Sequence, residues 1–429
     1  MNPAVYAPHL AGTRIEDVHG RQILDSRGYP TLEVGVRLSS GARGHAAVPA
    51  GASTGRYEAQ ELRDGGEAWG GRGVQLAIDR VREEIAPLLA GADARDQEAI
   101  DAALVELDGT SSLVRLGGNT ILGVSLAVAH AAAAEAEKPL WRHLGGPDAV
   151  LLPTPLLTAI EGGLHSDNRL VVQELLLVPV GAATFSQALR IGAEVYHALG
   201  RFLLAQGASR ALGDGGGYAA RLDSDEAALD AALAAIGIAG YRPGVDVALA
   251  LDAAASELYS DGGYRLAGDD TPLTGEELID HWCRLCDRYP IVSLEDPLGE
   301  ADWEGWRQIT ARLGSHVQLV GDDLFATHAS LVRLGVDQGL ATAVLIKPNQ
   351  VGTLTRVRET VALAHAEGYA TVMAHRAGDT EDATIADLAV ALGCRFIKAG
   401  GPARSERVAK YNRLLAIEEQ LGGAARFGA

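Results

Sequence analysis

The stretch IVSLEDPLGEADWEGWRQITARLGSHVQLVGDD, residues 291–323, decides the fold. An apolar run ends on Glu295, apolar residues at helical spacing run from Trp303 to Leu313, and a second apolar run ends on Asp322. This order predicts a strand, a helix and a second strand parallel to the first. Both strands finish on a carboxylate. Parallel strands present those ends on one side of a sheet.

The same unit recurs on both sides. LLPTPLLTAI (151–160), VVQELLLVPV (171–180) and VALALDA (247–253) precede it; TAVLIKP (342–348), YATVMAHR (369–376) and RFIKAG (395–400) follow. Helical patterns span Glu276 to Tyr289, Leu354 to Glu367 and Thr384 to Leu392, and Thr274 with Glu277 fits a capping box. Eight runs, mostly separated by helices, predict a (β/α)8-type barrel. A doubly wound open sheet is the alternative. The first 140 residues read differently. Residues 14 to 48 are strand-like, with TLEVGVRL alternating; 74 to 107 has helical spacing; NTILGVSLAVAHAAAAEAE is an Ala-rich helix with Asn119 as a plausible cap. The expected organisation is an α+β domain over 1–140 and the barrel over 141–429.

In a barrel the strand ends converge at one mouth. Asp252, Glu295, Asp322, Lys347, His375 with Arg376, and Lys398 end successive runs. Three carboxylates on adjacent strands form a hard oxygen set suited to Mg²⁺ and lack the His or Cys that Zn²⁺ prefers. Two lysines facing a cation would have lowered pKa values, making one a general base for a proton beside a carboxylate. Arg376 offers a fork for phosphate or carboxylate.

Composition narrows the partners. The chain has 429 residues, is 47% hydrophobic and carries a net charge of −19. That charge argues against nucleic acid and acidic membranes, not against a small anionic substrate. Of 37 basic side chains only Lys138, Lys347, Lys398 and Lys410 are lysines, and lysine, unlike arginine, can give up its proton when buried. Cys283 and Cys286 lie in an amphipathic pattern and read as one helical turn; with Cys394 they make no disulfide framework. No run reads as a membrane span. MNPAVYAPHL has no basic region followed by an apolar run, so a cytoplasmic location is expected.

ILDSRGYPTLEVGV, VPAGASTGRYEAQELRDG, LGGNTILGVSLAVA, SLEDPL, VGDDL, LIKPNQVGTLT, AHRAGDTED and GGPARSERVAKYNRLL closely resemble the enolase family, over about Ile15 to Glu419. The resemblance implies a capping domain over a modified barrel, two Mg²⁺ per site and usually a dimer. Asp252, Glu295 and Asp322 would hold the first Mg²⁺, and Ser53 would help with the second. Lys347 would be the base, and Lys398 would bind the substrate carboxylate and balance charge. His165, Gln173 and Glu174 would line the pocket, with Glu174 and His165 as catalytic candidates. His375 and Arg376 would contact substrate, Arg376 gripping the phosphate. Asp214 and Asp323 stand beside family positions.

Two departures set this chain apart. Enolases carry Asp-Glu-Gly-Gly where this chain has Asp214-Gly215-Gly216-Gly217, and that Glu helps the β-hydroxyl leave. They also follow the phosphate-gripping Arg with Ser, here Ala377. Ala50, Glu161 and Leu164 are milder changes. The expectation is a changed phosphorylated or phosphonylated substrate, as for a carboxyphosphonoenolpyruvate synthase of phosphinate antibiotic biosynthesis. An ordinary enolase, in which Glu174, His165 or water replaces the lost acid, and an inactive homologue used for binding are the alternatives. On the first reading 2-phosphoglycerate is dehydrated slowly, and Gly215→Glu with Ala377→Ser restores part of the rate.

Overall fold

The computed structural model describes residues 12–51, 55–166, 168, 170–260, 262–266 and 271–428. By internal contacts the chain divides into two units, one of Met1–Ala149, Lys347–Thr360 and Arg376–Leu392, the other of Val150–Ile346, Val361–His375 and Gly393–Ala429.

In the first unit, β1 (Ile15–Leu24), β2 (Pro30–Leu38) and β3 (Arg43–Ala47) form an antiparallel meander. Leu32, Val34, Val36 and Leu38 are buried at every second position of β2, as its alternation requires. The helices that follow include α1 (Gln97–Asp108) and α2 (Gly118–Glu135). All of α2 is buried except His130, Ala134 and Glu135, which is why its sequence is apolar all round. Asn119 is not its cap. The Asn119 Oδ1 accepts from the Leu62 N–H at 2.9 Å, so the side chain holds a neighbouring loop, and Gly117 takes the cap position.

The second unit holds the eight apolar runs as strands: β4 (Thr154–Glu161), β5 (Glu174–Val178), β6 (Ala248–Asp252), β7 (Ile291–Glu295), β8 (Gln318–Gly321), β9 (Ala343–Ile346), β10 (Ala370–Ala374) and β11 (Phe396–Lys398). They close in chain order into a barrel. Leu156, Leu176, Val178, Ala248, Ala250, Val320, Leu345 and Val372 pack together inside it. The neighbours pair in parallel, except that β5 is antiparallel to both β4 and β6. The sequence explains this. Only residues 162–173 join β4 to β5, without a helix long enough to carry the chain back to the starting edge. The return comes after β5, through α3 (Phe185–Ala205) and α4 (Asp225–Ile238).

Helices follow the later strands. α5 (Gly275–Arg288) begins with the expected capping box, Thr274 and Glu277 exchanging side-chain and backbone bonds. It buries Leu278, Ile279, Trp282 and Leu285. Cys283 and Cys286 lie within it, and burial pushes the Cys286 thiol up to about 12, away from redox or metal use. α6 (Trp303–Leu313), α7 (Ala329–Gln338), α8 (Leu354–Ala366), α9 (Thr384–Ala391) and α10 (Ser405–Leu421) complete the pattern. Among the described residues, no helix is long and apolar enough to cross a membrane.

Candidate active site at the carboxylate mouth of the barrel

The reversed β5 shapes the mouth. Running against its neighbours, it brings its first residue to the end where they bring their last. The register pairs Glu161 with Glu174, Glu174 with Asp252, and Asp252 with Glu295. Four adjacent strands therefore carry a row of four carboxyl groups, all buried.

One cation meets three of them. Lys398, at the end of β11, places Nζ 2.6 Å from Glu174 Oε2, 2.7 Å from Asp252 Oδ2 and 2.8 Å from Glu295 Oε1. Burial pulls its pKa down, but Asp252, Glu174 and Glu295 together hold it well above the ordinary lysine value. The lowered value expected for both lysines thus fails for Lys398, because carboxylates face it on three sides. Burial opposes ionisation of Glu174 too, yet Lys398 keeps that carboxylate below its usual range. Thr158 Oγ1 donates to Glu174 Oε1 at 2.9 Å, and Gln173 Nε2 donates to Asp252 Oδ2 at 3.4 Å.

Asp322 follows β8. Single carboxylate oxygens of Asp296, Asp322 and Asp323 lie within 4.8 Å of one another. Asp296 accepts the N–H groups of Asp322 at 2.9 Å and Asp323 at 2.8 Å, which fixes the turn after β8. Burial, then Asp323 and Asp322, raise the Asp296 carboxyl well above its usual value. This concentration of hard oxygen donors suits Mg²⁺. Asp252 and Glu295 already converge on one cation, the Lys398 ammonium.

The loop after α3 answers the question raised by Gly215. Its backbone is pinned: Tyr196 Oη donates to the Gly216 carbonyl at 2.7 Å, the Gly401 N–H to the Gly215 carbonyl at 2.8 Å, and Arg407 to the Asp214 carbonyl at 2.8 Å. The space beside it is filled. A Cβ at Gly215 would lie 2.5 Å from Glu161 Oε1 and 3.4 Å from Glu174 Oε1; one at Gly217 would lie 3.1 Å from Glu161 Cγ; one at Gly213 would overlap Glu161 Oε2. Alternate glycines thus make room for one carboxyl side chain. Gly216 has φ 88°, a conformation that favours glycine. The Gly215→Glu half of the double change expected from the sequence meets Glu161 at its first carbon.

Two histidines flank the row. His165, half-buried, is driven toward neutrality first by burial, while Glu174 and Asp252 oppose this. Its Nδ1 has no hydrogen-bond partner among the described residues. His375 is held well below its usual value by burial and then by Arg407. Arg407 Nη1 lies 2.6 Å from His375 Nδ1. A guanidinium only donates, so Nδ1 is the acceptor and Nε2 carries the proton.

The other candidates are described within the first unit. Lys347 directly follows β9 in the chain, is half-buried, and stands at the residue before the short helix Pro348–Val351 without bonding its N-terminus through the side chain. Arg376 is buried; its Nη1 donates to Glu58 Oε2 at 2.9 Å and lies 3.4 Å from Asn349 Oδ1. Gln350 Nε2 donates to Glu58 Oε1 at 3.3 Å. Ala377 is buried and its carbonyl accepts from Ser26 at 3.3 Å. Ala50 and Gly378 exchange backbone bonds at 2.7 and 2.9 Å, and Arg27 donates to the carbonyls of Ala50 and Gly51. Ser53 lies outside the described residues. Sequence reasoning had no role for Glu58 and Asp296, and took Glu161 for a mild change. Glu161 closes the run TPLLTAIE, so the strand-end rule used for Glu295 would have found it.

The chain matches the family model for the enolase N-terminal domain over residues 15–144, and that for the enolase C-terminal TIM barrel domain over residues 149–429. It is 55% identical over 413 residues to an enolase of Acidothermus cellulolyticus, covering 96% of each chain. It is also 55% identical over 414 residues to an enolase of Mycobacterium leprae, again with 96% of each covered.

Proposed function

Because this chain belongs to the enolase family, we propose that it catalyses the reversible dehydration of 2-phosphoglycerate to phosphoenolpyruvate. The observation that carries this reading is the buried cluster of Glu174, Asp252 and Glu295 around Lys398, in a chain alike to enolases over nearly its whole length.

Asp252, Glu295 and Asp322 hold Mg²⁺, with Ser53 assigned to a second ion. Bound there, Mg²⁺ supplies positive charge that makes a proton beside a carboxylate acidic enough to remove. Lys398, fixed as an ammonium, binds the substrate carboxylate. Lys347 takes the C2 proton. Arg376 holds the phosphate, exchanging part of its bond to Glu58 for it. His165, Gln173 and His375 line the pocket. His375, neutral with its proton on Nε2, can donate from that nitrogen. The substrate class is a small phosphorylated acid, and the assembly is a homo-oligomer, as the resemblance implies.

This reading is better supported than the specialised synthase expected from the sequence. Its relatives at 55% identity are enolases, and a different carboxyl fills the space beside Gly215. Ala377 is the remaining support for the synthase. Steady-state turnover of 2-phosphoglycerate, followed by the absorbance of the enol product, tests the choice. Turnover at the level of an ordinary enolase is expected. A rate lower by roughly the 10²- to 10⁴-fold that a placed general acid contributes would return the argument to a changed substrate.

A further inference from the structure

We infer that Glu161 is the proton donor to the leaving hydroxyl, supplying from β4 the carboxyl that the loop lacks at Gly215. The inference rests on the dehydration reading above. Its observation is local to the barrel. Glu161 Oε1 lies 2.5 Å from the place of a Cβ at residue 215. A carboxyl group carried by another element therefore fills the space beside residue 215 into which a side chain there would start, its Cδ 3.5 Å from that Cβ position. Gly213 and Gly215 leave room for its carboxyl, and a side chain at either would displace it; Gly217 leaves room for Thr158 and the Glu161 Cγ.

The protonation pattern fits a donor. Glu161 is fully buried. Oε1 accepts the Gly217 N–H at 3.1 Å, and Oε2 has no hydrogen-bond partner among the described residues. Glu174, its cross-strand neighbour, is ionised against Lys398. Burial, and then Glu174, push the Glu161 carboxyl up to about 8. Two neighbouring carboxyls with pKa values pushed apart are the usual way one site holds both an acid and a charged partner.

The step balances. Lys347 removes the C2 proton, leaving the C–H pair delocalised onto the substrate carboxylate, and that pair becomes the C2–C3 π bond only as the C3–O bond breaks. The C3–O bond breaks with its pair on oxygen, and the Glu161 proton joins that oxygen as water leaves. Glu161 ends as a carboxylate and Lys347 as an ammonium; solvent exchange resets both.

The test separates the two steps with Glu161→Gln, which keeps the shape and loses the acid. Dehydration should fall by about 10²- to 10⁴-fold, while exchange of the C2 hydrogen of 2-phosphoglycerate in D₂O continues. Glu161→Ala should behave likewise, and Glu161→Ala with Gly215→Glu, which moves the carboxyl to the loop, should recover part of the lost rate. Undiminished dehydration in Glu161→Gln, or loss of exchange together with dehydration, overturns the assignment. So does a double variant no faster than Glu161→Ala. Wild-type protein silent on 2-phosphoglycerate overturns the dehydration reading itself, and the assignment with it.

Discussion

Glu161 ties the pH dependence of the protein to one side chain. The charged and titratable groups facing it are Glu174 on β5, Arg407 on α10 and Tyr196 on α3. Burial and Glu174 raise its carboxyl from 4.5 to about 8, against the pull of the loop N–H groups and Arg407. A donor must hold its proton, so dehydration should proceed below that value and decline as pH rises through about 8. Glu161→Gln should remove this decline along with most of the rate. Stability follows the same sign. The folded state binds this proton more tightly than the unfolded chain, so the contribution is whole below about 4.5 and is lost progressively up to about 8. Melting temperatures of wild type and Glu161→Gln, compared at pH 5 and pH 8.5, should move in favour of the variant at the higher pH. A constant difference would show that Glu161 does not titrate in this window. Much of the site at this scale was legible beforehand. Asp252, Glu295, Asp322 and Lys398 end apolar runs, and periodicity locates such ends. Glu161 obeys the same rule, but its partner residues 213–217 lie more than fifty positions away, and spacing carries no information about that meeting. The same holds for Glu58 against Arg376, joined by a bond at 2.9 Å.

Among the elements, β5 and the loop 213–217 decide what the mouth contains. Eight apolar runs announced eight strands, yet the reversal of β5 was not readable from its composition. It follows from the connection before it, 162–173, which among its described residues holds no helix longer than the turn Gly163–His165. Had β5 run parallel, Val178 would stand at the mouth and Glu174 at the far end. The loop opposite is built from glycines whose missing side chains are the room for Glu161. Gly215→Ala tests this packing alone. Its Cβ would arrive 2.5 Å from Glu161 Oε1, and real Cβ atoms do not come so close. The flexible end of Glu161 moves more easily than a backbone pinned by Tyr196, Arg407 and Gly401. The expected result is a folded protein whose unfolding free energy, from urea denaturation, is unchanged to within about 1 kcal/mol, and dehydration reduced at least tenfold. Full activity in Gly215→Ala would show that the carboxyl needs no such room.

At the scale of the whole molecule, the net charge of −19 and the crowding of carboxylates at one end of the barrel point the same way. Asp252, Glu295, Asp296, Asp322 and Asp323 are held together by the closure of the barrel and by backbone N–H groups. Folding therefore brings like charges into a dry place, at a cost that Lys398 offsets only in part. A divalent cation binding there, and not to the unfolded chain, stabilises the fold by mass action, by about 2.7 kcal/mol at a hundredfold excess over its dissociation constant. Melting of the wild-type protein should accordingly rise with Mg²⁺ concentration. Asp252→Ala and Asp322→Ala should each lose that rise, whatever their melting temperatures without Mg²⁺. The comparison is between increments, because Asp252→Ala also deprives Lys398 of a partner at 2.7 Å and lowers the baseline. Calorimetric titration with Mg²⁺ alone gives the second measurement, independent of turnover. If both variants keep the full Mg²⁺-dependent increment and the wild-type affinity, the ion is held elsewhere and the assignment of Asp252, Glu295 and Asp322 falls.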